Sequence, residues 1–173
     1  MDLVLYKYSL CMALSLLLFF GLDMLFARVP GRKSFTNYLL SRRMMGVALL
    51  ILSANYAVHF FFGLRLKALN VTILVNMVTY FVCYWLFSSA LMTLLVDNFV
   101  TRRRTVIHLT LWIVYSALAA AELVLPAEIR FWATKVLAAV LVIYGLFLSV
   151  RLIRTYRRSI RLFENTHSDD IGA

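Results

Sequence analysis

The side chains that could do chemistry in this chain lie inside long apolar runs. Asn55 and His59 are four residues apart, as are Asn76 and Tyr80, so each pair occupies one face of a helix. Glu122 lies about one helical turn before the end of a later run. Polar groups at membrane depth are costly, and they mark either interhelical partners or sites for ligands and ions. The candidate ligand-binding residues are Asn55, His59, Asn76, Tyr80 and Glu122.

These five residues could line one outward-facing cavity if the helices that carry them adjoin. The bound molecule would then be a small molecule or a lipid headgroup. Their simpler role is hydrogen bonding between helices, worth about 1 kcal/mol or less for each bond. The residue pattern leaves both roles open.

Nothing in the sequence predicts an enzyme. No pair of residues has the spacing of a nucleophile and its base, and the usual hydrolase, nucleotide-binding and metalloprotease motifs are missing from the sequence. The histidines are scattered, and Cys11 and Cys83 lie alone in apolar runs. We therefore expect no catalytic residues, no metal and no cofactor.

The elements that position these side chains are five apolar runs. The chain is 63% hydrophobic over 173 residues, which is more apolar surface than one soluble core of this size can bury. About 20 apolar residues cross a bilayer as a helix, and lipid offers the backbone no other hydrogen-bond partners. We predict an all-α integral membrane bundle of five transmembrane helices over residues 1–150. The predicted spans cover about 3–27, 44–64, 68–99, 105–125 and 129–150.

The segments between the spans carry their own signals. Pro30-Gly31 predicts a turn, and residues 34–43 have the mixed composition of a short helix lying at the membrane interface. Pro126 and Glu128 are typical of the first turn of a new helix. Asp23 and Asp97 lie near span ends, where we expect them to pair with neighbouring arginines, ion coupling being the other interpretation.

The distribution of basic residues predicts the orientation. Thirteen of the eighteen Lys and Arg residues lie in segments 28–43, 101–104 and 151–161. The positive-inside rule then places the N-terminus outside and the C-terminus in the cytoplasm. The net charge of +10 is assigned to topology and to anionic lipid at the cytoplasmic face. We expect no nucleic acid to be contacted by this chain itself.

Residues 151–173 are predicted to form a basic amphipathic helical extension and a polar tail. At about 100° per residue, apolar side chains gather on one side of the extension and arginines on the other. This helix either lies on anionic lipid or docks a cytoplasmic partner. The candidate lipid- or partner-binding residues are Arg151, Arg154, Arg157, Arg158 and Arg161. A patch of small residues over 116–121 favours close helix packing, within the bundle or in a homodimer.

Two stretches resemble a known family. Ser41-Arg-Arg-Met-Met-Gly46, followed by Ala54-Asn-Tyr-Ala-Val-His59, resembles the second span of multi-pass sensor regions in Bacteroidetes. Asn76-Met-Val-Thr-Tyr80, leading into Leu86-Phe-Ser-Ser-Ala-Leu91, resembles the third. In that family such regions precede an AraC-type helix-turn-helix domain, and related arrangements precede histidine kinases. The resemblance implies a place in a bacterial inner membrane and signal perception with a cytoplasmic output in transcription regulation. It carries no catalytic residues over.

The predicted function is therefore a membrane-embedded sensor that relays an external or lipid-borne signal through the C-terminal basic helix. The chain would be either the sensor portion of a longer regulator or a free-standing relative. The first alternative is a small transporter or channel that uses Asp23, Asp97, His59 or Glu122 along its pathway. The second is a structural or assembly subunit that binds another membrane protein.

Overall fold

A computed structural model describes residues 3–28 and 36–167, and over these ranges the chain is helical without a strand. The helices are α1 (Leu3–Phe26), α2 (Thr36–Phe62), α3 (Leu64–Lys67), α4 (Leu69–Leu95), α5 (Arg102–Glu122) and α6 (Ala127–His167). All except the short α3 are long and apolar enough to cross a membrane, which gives five candidate spans. The predicted all-α class and the number of long apolar helices are confirmed.

The helix that contains the predicted second span begins before residue 44. α2 runs without a break from Thr36, so residues 36–43, expected to form a short helix at the membrane interface, are continuous with it. This early part of α2 also packs on the bundle, because the buried Ser41 hydroxyl donates to the backbone carbonyl of Ala90 on α4, at 2.7 Å. The predicted Pro30-Gly31 turn lies outside the described residues.

A left-handed glycine ends α2. Gly63 has φ 59° and ψ 34°, and its N–H donates to the carbonyl of His59 at 3.2 Å. This conformation costs a residue with a side chain about 1–2 kcal/mol, so helices commonly end on glycine in it. The single turn of α3 follows, and the chain then reverses into α4.

The connection between α4 and α5 is also set by local chemistry. α4 ends at Leu95, before the predicted residue 99, because Val96 is extended and Asn98 adopts a positive φ of 52°. The hydroxyl of Thr101 accepts a hydrogen bond from the N–H of Arg104 at 3.4 Å and caps α5. α5 therefore begins at Arg102, three residues before the predicted start.

α4 is the central helix of the bundle. It packs against α2 on one side and against α5 and α6 on the other, whereas α1 packs along α2. Among the described helices, α2 and α5 make no close backbone contact. One buried cluster fills the space between α4, α5 and α6, and its members are Leu74, Met77, Phe81, Tyr115, Ala119, Leu137 and Leu141. A second lies between α2 and α4, and its members are Ala48, Val82, Cys83, Trp85 and Leu86.

The crossing of α1 and α2 depends on two glycines. Gly21 and Gly46 are both buried, and a Cβ atom placed on Gly46 would lie 3.0 Å from the carbonyl oxygen of Gly21. Small residues allow such close approach of helix backbones in membranes. Large apolar side chains on the outer faces are exposed, including Met12, Val136 and Ile143, as expected of helices that face lipid.

The arginine-rich segments meet at one end of the bundle. The guanidinium groups of Arg104 and Arg151 both lie over the ring of Phe99, at 4.7 and 5.0 Å from its centroid. At the same end, Nδ2 of Asn37 donates to the Asp97 carboxylate. We call this the arginine end, and we call the opposite end, which contains the α2–α4 turn, the Gly63 end. The side of the membrane that each end faces stays a prediction.

α6 continues as one helix from Ala127 to His167, so it runs past residue 150, where the predicted fifth span ends. Glu128 lies in its first turn, as the sequence indicates. Residues 168–173, the last part of the predicted polar tail, lie outside the described residues.

Candidate functional site

Three of the five predicted site residues form one buried hydrogen-bond network between α2 and α4. Oδ1 of Asn76 accepts a hydrogen bond from Nδ2 of Asn55 and another from Nε2 of His59, each at 2.8 Å. Asn55 and His59 are only 4% and 5% exposed. Their four-residue spacing on α2 therefore points both side chains at the same residue of α4.

This network leaves two hydrogen-bond acceptors unused. Nε2 of His59 faces an amide oxygen and donates to it, so in the neutral form of the ring Nδ1 is an acceptor. Nδ1 of His59 and Oδ1 of Asn55 are both buried without a partner among the described residues. Buried polar atoms are nearly always paired, so two such atoms one helical turn apart call for a donor.

His59, Asn76 and Tyr80 line a cavity of about 200 Å³ at the Gly63 end. We call it the Asn–His cavity. Helices α1, α2 and α4 and the α3 turn all contribute to it, and its other lining residues are Tyr6, Leu10, Tyr56, Arg65, Leu69 and Thr72. The guanidinium of Arg65 lies 5.1 Å from the centroid of the Tyr6 ring, a cation–π contact that joins α3 to α1.

The charge of the Asn–His cavity is positive. Within the described chain no Asp or Glu lines it, and Arg65 is exposed at its edge. The cavity therefore combines a buried lining histidine, whose Nδ1 is unused, with an exposed cation. This arrangement can bind a polar group, and it contains no paired nucleophile and base.

Glu122 does not join the other four residues. It is 3% exposed and lies between α5 and α6, where its Oε1 accepts a hydrogen bond from the hydroxyl of Thr134. Its Oε2 is buried and has no partner among the described residues. Because α4 separates α2 from α5, the carboxylate of Glu122 lies outside the Asn–His cavity.

Sequence reasoning missed several lining residues. Tyr56 lies three residues before His59 on the same helical face, so its spacing could have indicated it. In the sequence, Arg65 indicates only the orientation of the helices in the membrane, as one of the basic residues between the spans. Tyr6 belongs to α1, and no sequence signal predicts which helix α1 packs against.

An aromatic cluster connects the cavity side of α4 with α6. Phe81, the residue after Tyr80, stacks on Tyr144 with ring centroids 4.2 Å apart and on Tyr115 with centroids 4.5 Å apart. The hydroxyl of Tyr144 shares a hydrogen bond with Nδ1 of His108 at 2.9 Å. α4 therefore contacts the cavity on one face and the long helix α6 on another.

The basic extension is mostly open to its surroundings. Arg151 is half-buried over Phe99, which ties the start of the extension to the α4–α5 connection. The remaining predicted binding residues, Arg154, Arg157, Arg158 and Arg161, are exposed. Contact of this helix with lipid or with a partner stays a prediction.

Of the two acidic residues near the arginine end that were expected to pair with arginines, Asp97 has an amide partner and Asp23 contacts Arg42 through its backbone. Asp97 accepts its hydrogen bond from the Asn37 amide, at 2.5 Å. Arg42 reaches Asp23 through its backbone carbonyl, at 3.5 Å, and it also donates to the carbonyls of Met24 and Ala27. Arg42 thereby satisfies the last carbonyls of α1, a capping role that basic side chains often take.

The chain matches no family model, no curated protein and no solved structure. The resemblance to sensor regions of AraC-type regulators therefore stays a prediction that rests on the quoted stretches of sequence. In the described ranges, no group of three or more His, Cys, Asp or Glu side chains is placed to hold a metal ion.

Proposed function

We propose that this chain is a membrane-embedded sensor that binds a small polar group in the Asn–His cavity and passes the signal to the basic extension of α6. The observation that carries the proposal is the buried network of Asn55, His59 and Asn76. Of its two unused acceptors, Nδ1 belongs to His59, which lines the cavity, and Oδ1 belongs to Asn55, which lies behind the lining. In this proposal the Gly63 end faces the outside and the arginine end faces the cytoplasm.

The packing of α4 supplies a physical route for the signal. A ligand bound between α1, α2 and α4 would favour one packing of α4 over another, and a signal requires such a difference in affinity between two states. Phe81 would carry the shift to α6 through its stack on Tyr144. Coupling of this kind is established by measurement at both ends rather than by adjacency alone.

Distances between spin labels test the relay. In a background with Cys11→Ser and Cys83→Ala, one label pair at positions 54 and 70 reports on the cavity, and a second pair at 43 and 158 reports on the extension. All four label positions are exposed. Asn76→Leu, which breaks both hydrogen bonds of the network, should shift both distances in bilayer nanodiscs.

A double variant distinguishes a specific loss of coupling to α6 from a general disruption of the fold. Phe81→Leu added to Asn76→Leu should keep the change at the cavity pair and remove it at the extension pair. A cavity distance that shifts while the extension distance stays fixed in Asn76→Leu would refute the sensor proposal. Ion or solute flux in proteoliposomes that His59→Phe or Glu122→Gln abolishes would favour the transporter or channel instead.

A further inference from the structure

We infer that the Asn–His cavity recognises an anionic group that carries a hydrogen-bond donor next to it. This is the chemistry of a phosphate esterified to glycerol or ethanolamine, whether on a lipid headgroup or on a free molecule. The inference rests on the proposed role of the cavity as the ligand site, and it adds the class of ligand.

The buried part of the cavity selects for a donor. Both lone pairs of the Asn76 amide oxygen are used, by Nδ2 of Asn55 and by Nε2 of His59. Nδ1 of His59, a lining residue that is 5% exposed, is left without a partner among the described residues, and Oδ1 of Asn55 is likewise unpaired behind the lining. A hydroxyl or an ammonium group in the cavity satisfies Nδ1 of His59, whereas a quaternary amine has no N–H to offer.

The edge of the cavity selects for negative charge. Of the residues that line it in the described chain, Arg65 alone carries a full charge, and its guanidinium is held over the ring of Tyr6. A guanidinium binds phosphate through two parallel hydrogen bonds, which a single ammonium cannot do. No lining carboxylate opposes an anion there.

Size and position fit a compact headgroup. The cavity of about 200 Å³ is smaller than the pockets of roughly 300 Å³ and above that hold drug-sized molecules. It lies at the Gly63 end, where α2 ends and α4 begins, and the exposed Arg65 is in the turn between them. Helix ends lie at the depth of lipid headgroups rather than of acyl chains.

Binding to nanodiscs of defined lipid tests the inference. The full chain in phosphatidylcholine nanodiscs is titrated with free glycerol 3-phosphate, phosphoethanolamine or phosphocholine, and its unfolding temperature is followed. In parallel, 20 mol% phosphatidylglycerol or phosphatidylethanolamine replaces part of the phosphatidylcholine. Either the free compounds or the lipids should stabilise the protein, and phosphocholine should not. Stabilisation by the free compounds identifies a soluble ligand, and stabilisation by the lipids alone identifies a headgroup.

Two substitutions assign the binding to the cavity. Arg65→Gln removes the charge at an exposed position and should lower the apparent affinity about tenfold or more, as loss of a charge-assisted bond does. His59→Phe removes the acceptor and should abolish the preference for ligands with a donor. Lys67→Gln is the matched control, because Lys67 is an exposed cation of the same turn outside the cavity lining.

Equal stabilisation by phosphocholine, an unchanged affinity in Arg65→Gln, or no stabilisation by any of these probes would overturn the inference. None of these results touches the spin-label test of the relay, so the two proposals fail separately.

Discussion

The α1–α2 crossing gives the sharpest prediction of stability. In Gly46→Ala the new Cβ would lie 3.0 Å from the carbonyl oxygen of Gly21 and 3.0 and 3.2 Å from Cγ and Cδ2 of Leu25. The leucine can turn, but the carbonyl belongs to the backbone of α1, so the two helices must move apart by a few tenths of an ångström. Overpacking of this kind typically costs about 1–3 kcal/mol.

A second glycine provides the matched control. At Gly145 on α6 the new Cβ would meet ring atoms of Tyr84 at 3.0, 3.2 and 3.7 Å, and this ring is exposed and can move aside. Both substitutions gain about the same helix propensity, near 1 kcal/mol. The difference between Gly46→Ala and Gly145→Ala therefore isolates the crossing, and we expect Gly46→Ala to be the less stable by about 1–3 kcal/mol.

Reversible unfolding in mixed micelles of mild detergent and dodecyl sulfate measures this difference. Fluorescence transfer between labels on the exposed positions 22 and 47 reports whether α1 leaves α2. The reasoning is refuted if Gly46→Ala unfolds at the same dodecyl sulfate fraction as Gly145→Ala while the transfer efficiency stays that of the wild type.

Three further predictions concern single contacts, each measured by the same unfolding assay. Asn76→Leu removes the shared acceptor of Asn55 and His59 and should lose about 1 kcal/mol; stability equal to wild type would mean that the network contributes nothing. Glu122→Gln keeps an acceptor for the Thr134 hydroxyl and replaces a buried carboxyl group, one oxygen of which has no partner among the described residues, so its stability should equal or exceed that of wild type; a loss would point to an unrecognised cation partner. Gly63→Ala places a side chain at φ 59° and should lose about 1 kcal/mol; no loss would show that the turn relaxes.

The sequence predicts the helices well because their cause is local. An uninterrupted apolar run must form a helix in lipid, so every long helix lies where a run was identified. Helix ends were predicted less well, because tertiary contacts and single residues decide them. α2 begins at Thr36, and Ser41 in this early part donates a hydrogen bond to α4. α4 ends at Leu95, because Val96 is extended and Asn98 has a positive φ.

The candidate site was predicted only in part. Helical periodicity puts Asn55 with His59, and the pairing of α2 with α4 brings both to Asn76. Glu122 lies outside the Asn–His cavity. The prediction needed α2, α4 and α5 to be mutually adjacent, and α4 lies between α2 and α5. Tyr6 shows the same limit, since the neighbours of a helix depend on packing that no single run of residues encodes.

The length of α6 has a mechanical consequence. Its 41 residues make a rod of roughly 60 Å, about twice the thickness of the hydrocarbon core. Phe81 stacks on Tyr144 of this helix, and roughly 35 Å of helix lies between Tyr144 and the C-terminal end of α6. A tilt of α6 by about 5° at this contact would displace its C-terminal end by roughly 3 Å, nearly the distance between adjacent Cα atoms. A stiff lever of this kind would turn a repacking smaller than one side chain into a displacement that a neighbouring molecule can detect.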